Sequence, residues 1–514
     1  MSIEDQADRG PERQAEIVAF LAAPATYGLA DAAVERRSTH ISELFLTPRH
    51  AYKMKRAVRL PFVDFSGLEQ RRAACARELE VNRLTAPALY EALVPVRRDA
   101  NGGLHLGGGD ARGEVVEWLV RMRRFDDGEL LDRLACRGDI SEALAEAVAD
   151  AVWDLHARAP VHPEAAAADD LAAVIEENAE ELVAAAGLLG EERVCGLTAA
   201  IAATLAVQRP LLTRRAGEGR VRRGHGDLHL RNIVRLEGRP VLFDALEFDE
   251  GLAITDTGYD LAFLLMDLLH REMKSQANLV LNRYLARSGD LGLLPALPLF
   301  VAVRACVRAK ILAGLGEGAE AVAYLDLATR ALTAPALPLL TAVGGPSGSG
   351  KSTLARALAP ALPGILGAVW LRSDAIRKRL AGVAPECRLP PERYSQAASD
   401  AVYAEMMDEA AAALHAGLPV VVDAVFGRSG EQQAIAALAG HCDSRFLGLW
   451  LTAPREDLLR RVCRRTGDAS DADARVVRLQ LERIEPPGDW LTLDAGEPPM
   501  SRALQAVEKL FNSS

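Results

Sequence analysis

The beginning of the chain alternates hydrophobic and polar residues, as strands do, with one stretch of helical spacing between them. Residues 41–46 and 51–58 alternate on either side of a Thr-Pro-Arg-His turn and predict a β-hairpin. Residues 68–84 repeat apolar positions at helical spacing, and strand-like runs around a glycine-rich turn follow within residues 93–123. The pattern predicts a small sheet with one helix, preceded by a loosely held lead-in with helical patches over residues 1–35.

The next and longer part of the chain has the periodicity of helices. Residues 128–208 and 254–332 are rich in Ala and Leu at helical spacing, whereas residues 222–250 between them have the pattern of short strands and loops. Together with the preceding sheet, these helices predict an α+β domain of two lobes over residues 36–335.

A change of composition separates this domain from the next. Residues 331–340 carry two prolines and no charge, which predicts a domain boundary. Beyond it, apolar strand-like runs at 368–371, 419–422 and 445–451 alternate with helical sequence. Strands that alternate with helices form a parallel sheet covered on both faces, so residues 336–514 are predicted to form an α/β domain.

Composition narrows the class of protein. The chain has 514 residues, of which 49% are hydrophobic and 25% charged, which is typical of a folded protein with more than one core. Its formal net charge of −11 argues against general binding to nucleic acid or to an anionic membrane. A polar N-terminus and the lack of an uninterrupted apolar run of about 18 residues favour the cytoplasm. The seven cysteines include no Cys-x-x-Cys pair, so we expect reduced thiols.

The most specific motif of the chain lies at the start of the second domain. It consists of Gly345, Pro346, Ser347, Gly348, Ser349, Gly350, Lys351, Ser352 and Thr353, and it matches the pattern GxxxxGK[ST]. An apolar run precedes it and a helical sequence follows, the context in which backbone N–H groups wrap a phosphate. We expect Lys351 to reach the β- and γ-phosphates of ATP or GTP, and Ser352 to bind Mg²⁺. The alternative is a glycine-rich turn without a ligand.

Two further polar groups follow the predicted strands of this domain. Asp374 and Arg377 are three residues apart at the start of a helix and so share a face, which suits a base and an anion-binding guanidinium. Asp423 ends an apolar strand, where it can act on Mg²⁺ or on a substrate. The alternatives are a helix cap for Asp374, a solvated helix charge for Arg377 and a strand-terminal cap for Asp423.

A cluster of arginines completes the second domain. Its members lie on a helix that runs into a small polar loop: Arg460, Arg461, Arg464 and Arg465. Arginines on such a segment can close over a transferring phosphate and exclude water. A solvated basic helix face is the alternative.

These motifs resemble those of the small P-loop kinases, a group that includes gluconate kinase, zeta toxins, chloramphenicol phosphotransferase and the kinase half of phage polynucleotide kinase. The resemblance covers about residues 338–512. It implies that Asp374 deprotonates the acceptor hydroxyl and that Arg464 or Arg465 is the lid arginine. It does not identify the acceptor, and a toxin-like function of this domain stays open.

The first domain contains a second set of residues suited to phosphoryl transfer. His225, Asp227 and Asn232 form an HxDxxxxN pattern, and Asp244 follows twelve residues later. The reaction needs a carboxylate that takes the acceptor proton and oxygen ligands for Mg²⁺, and Asp227, Asn232 and Asp244 supply them in that order. Zinc binding by His225 and His229 is the weaker alternative, because neither an HExxH motif nor a third ligand is evident.

Two lysines mark a strand of the first domain. Only seven residues of the chain are Lys, and Lys53 and Lys55 alternate along one predicted strand, so they point to one face. Either could contact nucleotide phosphates, with Glu78 of the following helix holding it in place. An edge strand protected by solvated lysines is the alternative.

The motif GHGDLHLRNIV resembles the catalytic loop of the aminoglycoside phosphotransferase family and its choline and homoserine kinase relatives, which share the protein kinase fold. Residues 153–160 and 255–268 also resemble the family's helical lobe, and the resemblance spans residues 36–335. One departure is that residues 41–53 contain no glycine-rich phosphate loop. Residues 118–123 could be the hinge against which adenine lies, or plain core.

The resemblance implies a bilobed, protein-kinase-like first domain with six assigned residues. These are the base Asp227, the Mg²⁺ ligands Asn232 and Asp244, the ion pair of Lys53 with Glu78, and the supporting Asp260. The whole chain resembles bacterial fusions of such a domain with a P-loop kinase domain.

The sequence supports two hypotheses about function. The first is an enzyme with two kinase sites that use ATP or GTP and Mg²⁺ to phosphorylate hydroxyl groups of small molecules, with no membrane or nucleic acid partner. The second is a regulatory protein, in which the kinase-like domain senses a ligand and controls the P-loop domain. The sequence predicts neither the acceptors nor an oligomeric state, because acceptor sites are built from scattered loops.

Overall fold

The structure is a computed structural model that describes residues 10–30, 33–60, 63–107, 113–164, 166–334, 338–464, 469–494, 501 and 505. The chain forms two compact units. One comprises Met1–Asp139, Asp154–Asp170 and Ala216–Asp260, and the other comprises Ile140–Trp153, Leu171–Arg215 and Leu261–Ser514. The second unit therefore contains helices from before residue 335 as well as the P-loop region. The domain division at residues 335 and 336 stays a prediction.

An antiparallel sheet with flanking helices forms most of the first unit. Its elements are α1 (Gly10–Ala22), a 3₁₀ turn (Pro24–Tyr27), β1 (Glu35–Ser38), β2 (Ser42–Leu46), β3 (His50–Lys55), β4 (Arg59–Leu60), β5 (Val63–Asp64), α2 (Leu68–Thr85), β6 (Tyr90–Arg98), β7 (Leu104–Leu106) and β8 (Glu114–Arg123). The six-stranded sheet has the order β1-β2-β3-β8-β6-β7. The predicted hairpin is confirmed, because β2 and β3 pair antiparallel from Ser42 opposite Lys55 to Leu46 opposite Ala51.

A helix packs against each face of this sheet, although the edge strand β1 is exposed. On one face, Ile17 and Leu21 of α1 pack with Met54 in a hydrophobic cluster. On the other face, Cys75 of α2 packs with Val120. The loose packing expected for the lead-in is therefore wrong for α1, because Ile17 and Leu21 lie four residues apart and present one apolar face to the sheet.

Helices dominate the chain from residue 127 to residue 333. The elements are a 3₁₀ turn (Asp127–Glu129), α3 (Leu131–Arg137), α4 (Glu142–Arg158), α5 (Ala167–Ala184), α6 (Ala186–Leu189), α7 (Glu191–Gly217), β9 (Val221–Arg223), a 3₁₀ turn (Leu230–Asn232), β10 (Ile233–Leu236), β11 (Arg239–Leu242), α8 (Glu250–Ala253), β12 (Ile254–Asp256), α9 (Thr257–His270), α10 (Lys274–Ser288), a 3₁₀ turn (Leu291–Leu293), α11 (Leu297–Gly314) and α12 (Gly318–Thr333). Within the described ranges, α7 is the one helix long and apolar enough to cross a membrane by length and composition, and a single such helix is weak evidence for a span.

The last part of the chain is an α/β fold, as its alternating pattern predicts. Its elements are β13 (Leu339–Gly344), α13 (Lys351–Ala361), β14 (Val369–Arg372), α14 (Ser373–Leu380), a 3₁₀ turn (Pro391–Tyr394), α15 (Gln396–His415), β15 (Val420–Asp423), α16 (Ser429–His441), β16 (Arg445–Thr452), α17 (Arg455–Arg464), α18 (Ala474–Arg483) and β17 (Leu491–Asp494). The five strands are parallel in the order β14-β15-β13-β16-β17. The sequence analysis missed β17, a four-residue strand at the edge.

Helix α10 covers the opposite edge of this sheet, strand β14. The side-chain amide of Asn278 donates to the carbonyl oxygens of Leu366 and Ala368, at 2.6 and 2.9 Å. The Asn282 amide donates to Ala368 O at 3.1 Å and accepts from the N–H of Trp370 at 2.6 Å. Two asparagines thus satisfy one N–H group of the edge strand and two carbonyl groups of the residues just before it.

Candidate active sites

Strand β3 presents two lysines to one carboxylate of helix α2. The Nζ of Lys53 lies 2.8 Å from Oε1 of Glu78, and that of Lys55 lies 2.6 Å from Oε2. Burial opposes the charge of Glu78, but the two ammonium groups lower its pKa to about 2. Because β3 lies between β2 and β8, the edge-strand alternative is wrong. The side chain of Lys55 is 1% exposed and that of Lys53 is 12% exposed, so Lys53 is the better placed to reach a ligand.

Each lysine has a second acidic partner. Lys53 Nζ donates to Asp244 Oδ1 at 2.6 Å, and Lys55 Nζ donates to Glu247. Burial opposes the charged form of Lys53, but Asp244 and Glu78 hold its pKa well above the ordinary value. Burial and the nearby Glu78 raise the pKa of Glu247. Glu247 was missed in the sequence analysis, because its contact with Lys55 depends on the folded path of the loop after Asp244.

The loop that carries Asp227 is fixed by hydrogen bonds at its base. Asn232 donates from Nδ2 to the Asp227 carbonyl oxygen and to Asp227 Oδ2, both at 2.9 Å. The buried Asp260 accepts from the N–H groups of His225 and Gly226, at 2.9 and 2.8 Å, so it supports this loop as the resemblance implies. The side chain of Asp227 remains 41% exposed, which leaves its carboxylate open to an incoming hydroxyl group.

His225 holds this loop to the segment that carries Asp244. Its Nε2 lies 2.9 Å from the carbonyl oxygen of Phe243, and its own carbonyl accepts from Leu246 N at 2.9 Å. Burial lowers the pKa of His225, which favours the neutral ring. The histidine therefore braces the backbone of the loop, and among the described residues the structure gives it no role as a metal ligand.

Asp244 has a backbone conformation that residues other than glycine rarely adopt. Its φ is +59°, in the left-handed region, which costs about 1–3 kcal/mol and persists where the surroundings enforce it. The surroundings do so here: its N–H donates to the Tyr90 hydroxyl at 3.2 Å, and Ala245 N donates to Asn82 Oδ1 at 2.8 Å. The strained turn aims the Asp244 carboxylate at Lys53.

The GxxxxGK[ST] motif connects β13 to α13, which begins at Lys351. Gly345 and Gly348 have φ of +134° and +85°. A Cβ at Gly345 would lie 2.5 Å from Leu451 O, and one at Gly348 would lie 2.8 Å from Leu458 O. Positive φ and close backbone contact thus both require glycine. The Lys351 side chain folds back over the loop and donates to Pro346 O at 2.9 Å.

Ser352 and Asp423 meet at the carboxyl edge of the parallel sheet. The Ser352 hydroxyl donates to Asp423 Oδ2 at 2.6 Å, and Asp423 is 4% exposed. Burial raises the pKa of Asp423, while Arg372 and Lys351 oppose that rise. Arg372 lies 3.6 Å from the same carboxylate oxygen. Arg372 was missed in the sequence analysis, although it precedes Asp374 by only two residues.

A cavity of about 830 Å³ brings the residues of the second domain together. Lys351 and Ser352 line it, and so do Asp374, Asp423 and Arg464. Arg465 lies outside the described residues. The helix-cap alternative for Asp374 is wrong, because the N-cap of α14 is Arg372.

Helices α17 and α18, with the described residues between them, supply one wall of this cavity. Gln480 Oε1 accepts from Ser347 N at 2.8 Å, and Arg461 donates to Gly348 O at 3.5 Å. Asp471 is anchored to the opposite wall: it accepts from Lys378 Nζ at 2.6 Å, from Leu389 N at 2.9 Å and from the Tyr394 hydroxyl. Gln480 belongs to no recognisable motif, and Asp471 lies in the polar loop after the arginines, where the sequence did not single it out.

Two places offer the oxygen ligands that Mg²⁺ prefers. One is the pair of Ser352 and Asp423. The other is Asp244 with Asn232, whose amide oxygen accepts no hydrogen bond within the described part of the chain. The described residues contain no group of three or more His, Cys, Asp or Glu that could hold a metal ion by itself. A magnesium ion at either place would therefore share its ligands with phosphate oxygens and water, as is usual for this ion.

Comparison with known families confirms both resemblances seen in the motifs. Residues 58–296 match the phosphotransferase enzyme family, APH, and residues 340–487 match an AAA domain family, AAA_33. The uncharacterized protein Rv2004c of Mycobacterium tuberculosis is 31% identical over an alignment of 473 residues, which covers 89% of this chain and 91% of that protein.

Solved structures align with each part of the chain separately. Aminoglycoside 2'-phosphotransferase-IIIa in its GDP complex is 15% identical and covers 62% of this chain and 98% of its own, with a TM-score of 0.39. A gluconokinase from Sinorhizobium meliloti 1021 is 23% identical and covers 34% of this chain and 94% of its own, with a TM-score of 0.25.

Proposed function

This chain belongs to the same family as its mycobacterial relative, with a phosphotransferase-family domain before a P-loop kinase domain, and from that membership we propose that both domains are active kinases. Each site would transfer the γ-phosphate of ATP or GTP to a hydroxyl group of a small molecule in the cytoplasm. The observation that carries the proposal is the cavity of the second domain. Its lining includes both Lys351, the candidate phosphate-binding residue, and Asp374, the candidate base.

At the first site, we assign Asp227 as the base that takes the proton of the acceptor hydroxyl. Its exposure and its fixed loop suit that role, because a base must be open to substrate and held in place. Lys53 would contact the nucleotide phosphates, and Lys55 would keep Glu78 charged beneath it. Asn232 and Asp244 would hold Mg²⁺, which supplies positive charge against the phosphates.

At the second site, the backbone of residues 345–353 would wrap the phosphates and Lys351 would neutralise them. Ser352 and Asp423 would hold Mg²⁺. Asp374 would accept the acceptor proton, because it lies in the same cavity and outside the cap position of its helix. Arg464, with Arg465 as the alternative from the sequence, would close over the transferring phosphate.

Replacing Asp374 with Asn tests the second site. The variant Asp374→Asn is expected to lower phosphate transfer by about 100-fold or more, because it removes the proton acceptor and keeps the shape. Nucleotide affinity, measured by calorimetry, should not change. Asp408→Asn is the matched control, since Asp408 is exposed on α15 and outside the cavity. Unchanged transfer by Asp374→Asn would contradict the role of Asp374 as the base.

One observation favours the regulatory alternative as a second candidate. Helix α10 belongs to the part of the chain that matches the phosphotransferase family, and its asparagines hold strand β14. Strand β14 leads directly into α14, which carries Asp374. A ligand that shifted α10 would therefore displace Asp374, the candidate base of the P-loop site. This effect would not require phosphate transfer at Asp227.

A further inference from the structure

The cavity of the second domain extends beyond the phosphate-binding loop. Its far wall is formed by α14, by the start of α15 and by the loop after β15, and it contains Arg377, Arg428, Tyr394 and Ser399. A cavity of about 830 Å³ has the usual size of a small-molecule site. If the P-loop end holds nucleotide phosphates, this polar wall is where the acceptor would lie.

Two arginines of this wall converge on the first turn of α15. Arg377 donates to the Arg393 carbonyl oxygen at 2.8 Å and to Ser399 Oγ at 3.4 Å. Arg428 donates to the side-chain oxygen of Gln396. Since Gln396 and Ser399 are three residues apart on one helix, they bring the two guanidinium groups to one region of the wall.

Both arginines have only neutral hydrogen-bond partners. Among the described residues, neither Arg377 nor Arg428 forms a salt bridge with a carboxylate. Arg379, on the same helix as Arg377, differs because it is paired with Glu405 at 3.3 Å and with Glu409. Arg377 also stacks on the ring of Tyr394 at 4.9 Å, and the charge of Arg428 opposes the rise that burial causes in the pKa of Glu431. A guanidinium group with no carboxylate hydrogen-bonded to it is suited to a carboxylate or phosphate of a ligand, because its planar fork matches both anions.

The net charge of the cavity lining also favours an anionic ligand. Seven Lys and Arg residues line the cavity, against four Asp and Glu residues. This excess of three positive charges would attract the nucleotide phosphates and an anionic acceptor alike. Arg377 also follows Asp374 by three residues on α14, so an anionic group on Arg377 would lie within a few bonds of a hydroxyl on Asp374.

We propose that the acceptor of the P-loop domain is a hydroxylated small molecule that also carries an anionic group, and that Arg377 and Arg428 bind this group. The inference rests on the proposed kinase function of this site. In the reaction, the acceptor oxygen forms a bond to the γ-phosphorus while the bond from that phosphorus to the bridging oxygen of the nucleoside diphosphate breaks. The hydroxyl proton passes to Asp374.

The test uses the full chain, radiolabelled ATP with Mg²⁺, and acceptors in matched pairs. Comparison of glycerate with glycerol, and of gluconate with sorbitol, tests whether a carboxylate on the acceptor speeds transfer. Comparison of glucose 6-phosphate with glucose tests the same for a phosphate. We expect transfer to an anionic member at least about tenfold faster than to its neutral partner, as charge-assisted hydrogen bonds of this kind imply. Equal or faster transfer to the neutral members would overturn the proposal.

Variants connect the preference to the two arginines. Arg377→Gln and Arg428→Gln are each expected to raise KM for the anionic acceptor by about 10- to 100-fold, with KM for ATP unchanged. Arg475→Gln is the control, because Arg475 is exposed on α18 and outside the lining. If no acceptor is phosphorylated, sulfate is titrated into the chain saturated with Mg²⁺ and a non-hydrolysable ATP analogue. Sulfate binding that either variant weakens supports the proposal, and sulfate binding insensitive to both, or absent, overturns it.

Failure of this inference can be told from failure of the proposed function. If Asp374→Asn abolishes transfer but neutral acceptors are used equally well, only the anionic acceptor is wrong. If Asp374→Asn leaves transfer intact, the proposed function of the site is wrong.

Discussion

Lys351→Ala is expected to reduce turnover at the P-loop site by at least about 100- to 1,000-fold, the usual loss when one positioned donor to transition-state charge is removed. Lys351 begins helix α13 and lines the cavity beside Ser352. Its ammonium group donates to Pro346 O, so it already lies over the loop of residues 345–353. Nucleotide affinity of this site, measured by calorimetry, should fall together with turnover.

The matched control for this variant is Lys310→Ala. It also removes one lysine from the second unit, but Lys310 pairs with Glu177 and Glu181, which are exposed. The control should keep full affinity and turnover. If Lys351→Ala keeps both as well, residues 345–353 are not a phosphate site.

At the first site, Asp227→Asn and Asp244→Ala are expected to fail in different ways. Asp227→Asn should keep Mg·ATP bound and lower transfer by about 100- to 10,000-fold, because it removes only the proton acceptor. Its amide oxygen can still accept from Asn232 Nδ2. Asp244→Ala should weaken Mg·ATP binding itself, since the phosphates would lose a ligand of their metal. Calorimetry with a non-hydrolysable ATP analogue separates the two outcomes.

Both variants should leave the fold intact, because the side chains of Asp227 and Asp244 are each 41% exposed. Asp249→Ala would be a poor control for these two variants, because Asp249 caps helix α8 and its removal would also destabilise that helix. If neither Asp227→Asn nor Asp244→Ala changes binding or transfer, while Lys351→Ala silences the whole protein, the first domain is a ligand sensor. The regulatory alternative would then hold.

The sequence was most informative where function depends on a short stretch of chain. The loop at Gly345 turns sharply within a few residues, and its glycines at positive φ follow a fixed spacing that is visible without a structure. The pattern from His225 to Asn232 is local for the same reason. Alternation placed Lys53 and Lys55 on one strand face, and that face meets Glu78 in the structure.

Features that depend on distant parts of the chain could not be predicted. Lys55 is buried and pairs with Glu247, which lies far along the chain, so the different exposure of Lys53 and Lys55 had no local signal. Gln480 reaches Ser347 across 133 residues, and no pattern links the two. Strand β17 was missed because its four residues, half of them polar, gain strand structure by pairing with β16.

The central claim is that one chain holds two nucleotide sites, and calorimetric stoichiometry tests it without knowledge of either acceptor. Titration of the full chain with a non-hydrolysable ATP analogue and Mg²⁺ should give two nucleotides bound per chain. Asp244→Ala and Lys351→Ala should each leave one, and the double variant none, whereas Asp227→Asn should keep two. One nucleotide per chain, lost with Lys351→Ala and unaffected by Asp244→Ala, would contradict the account.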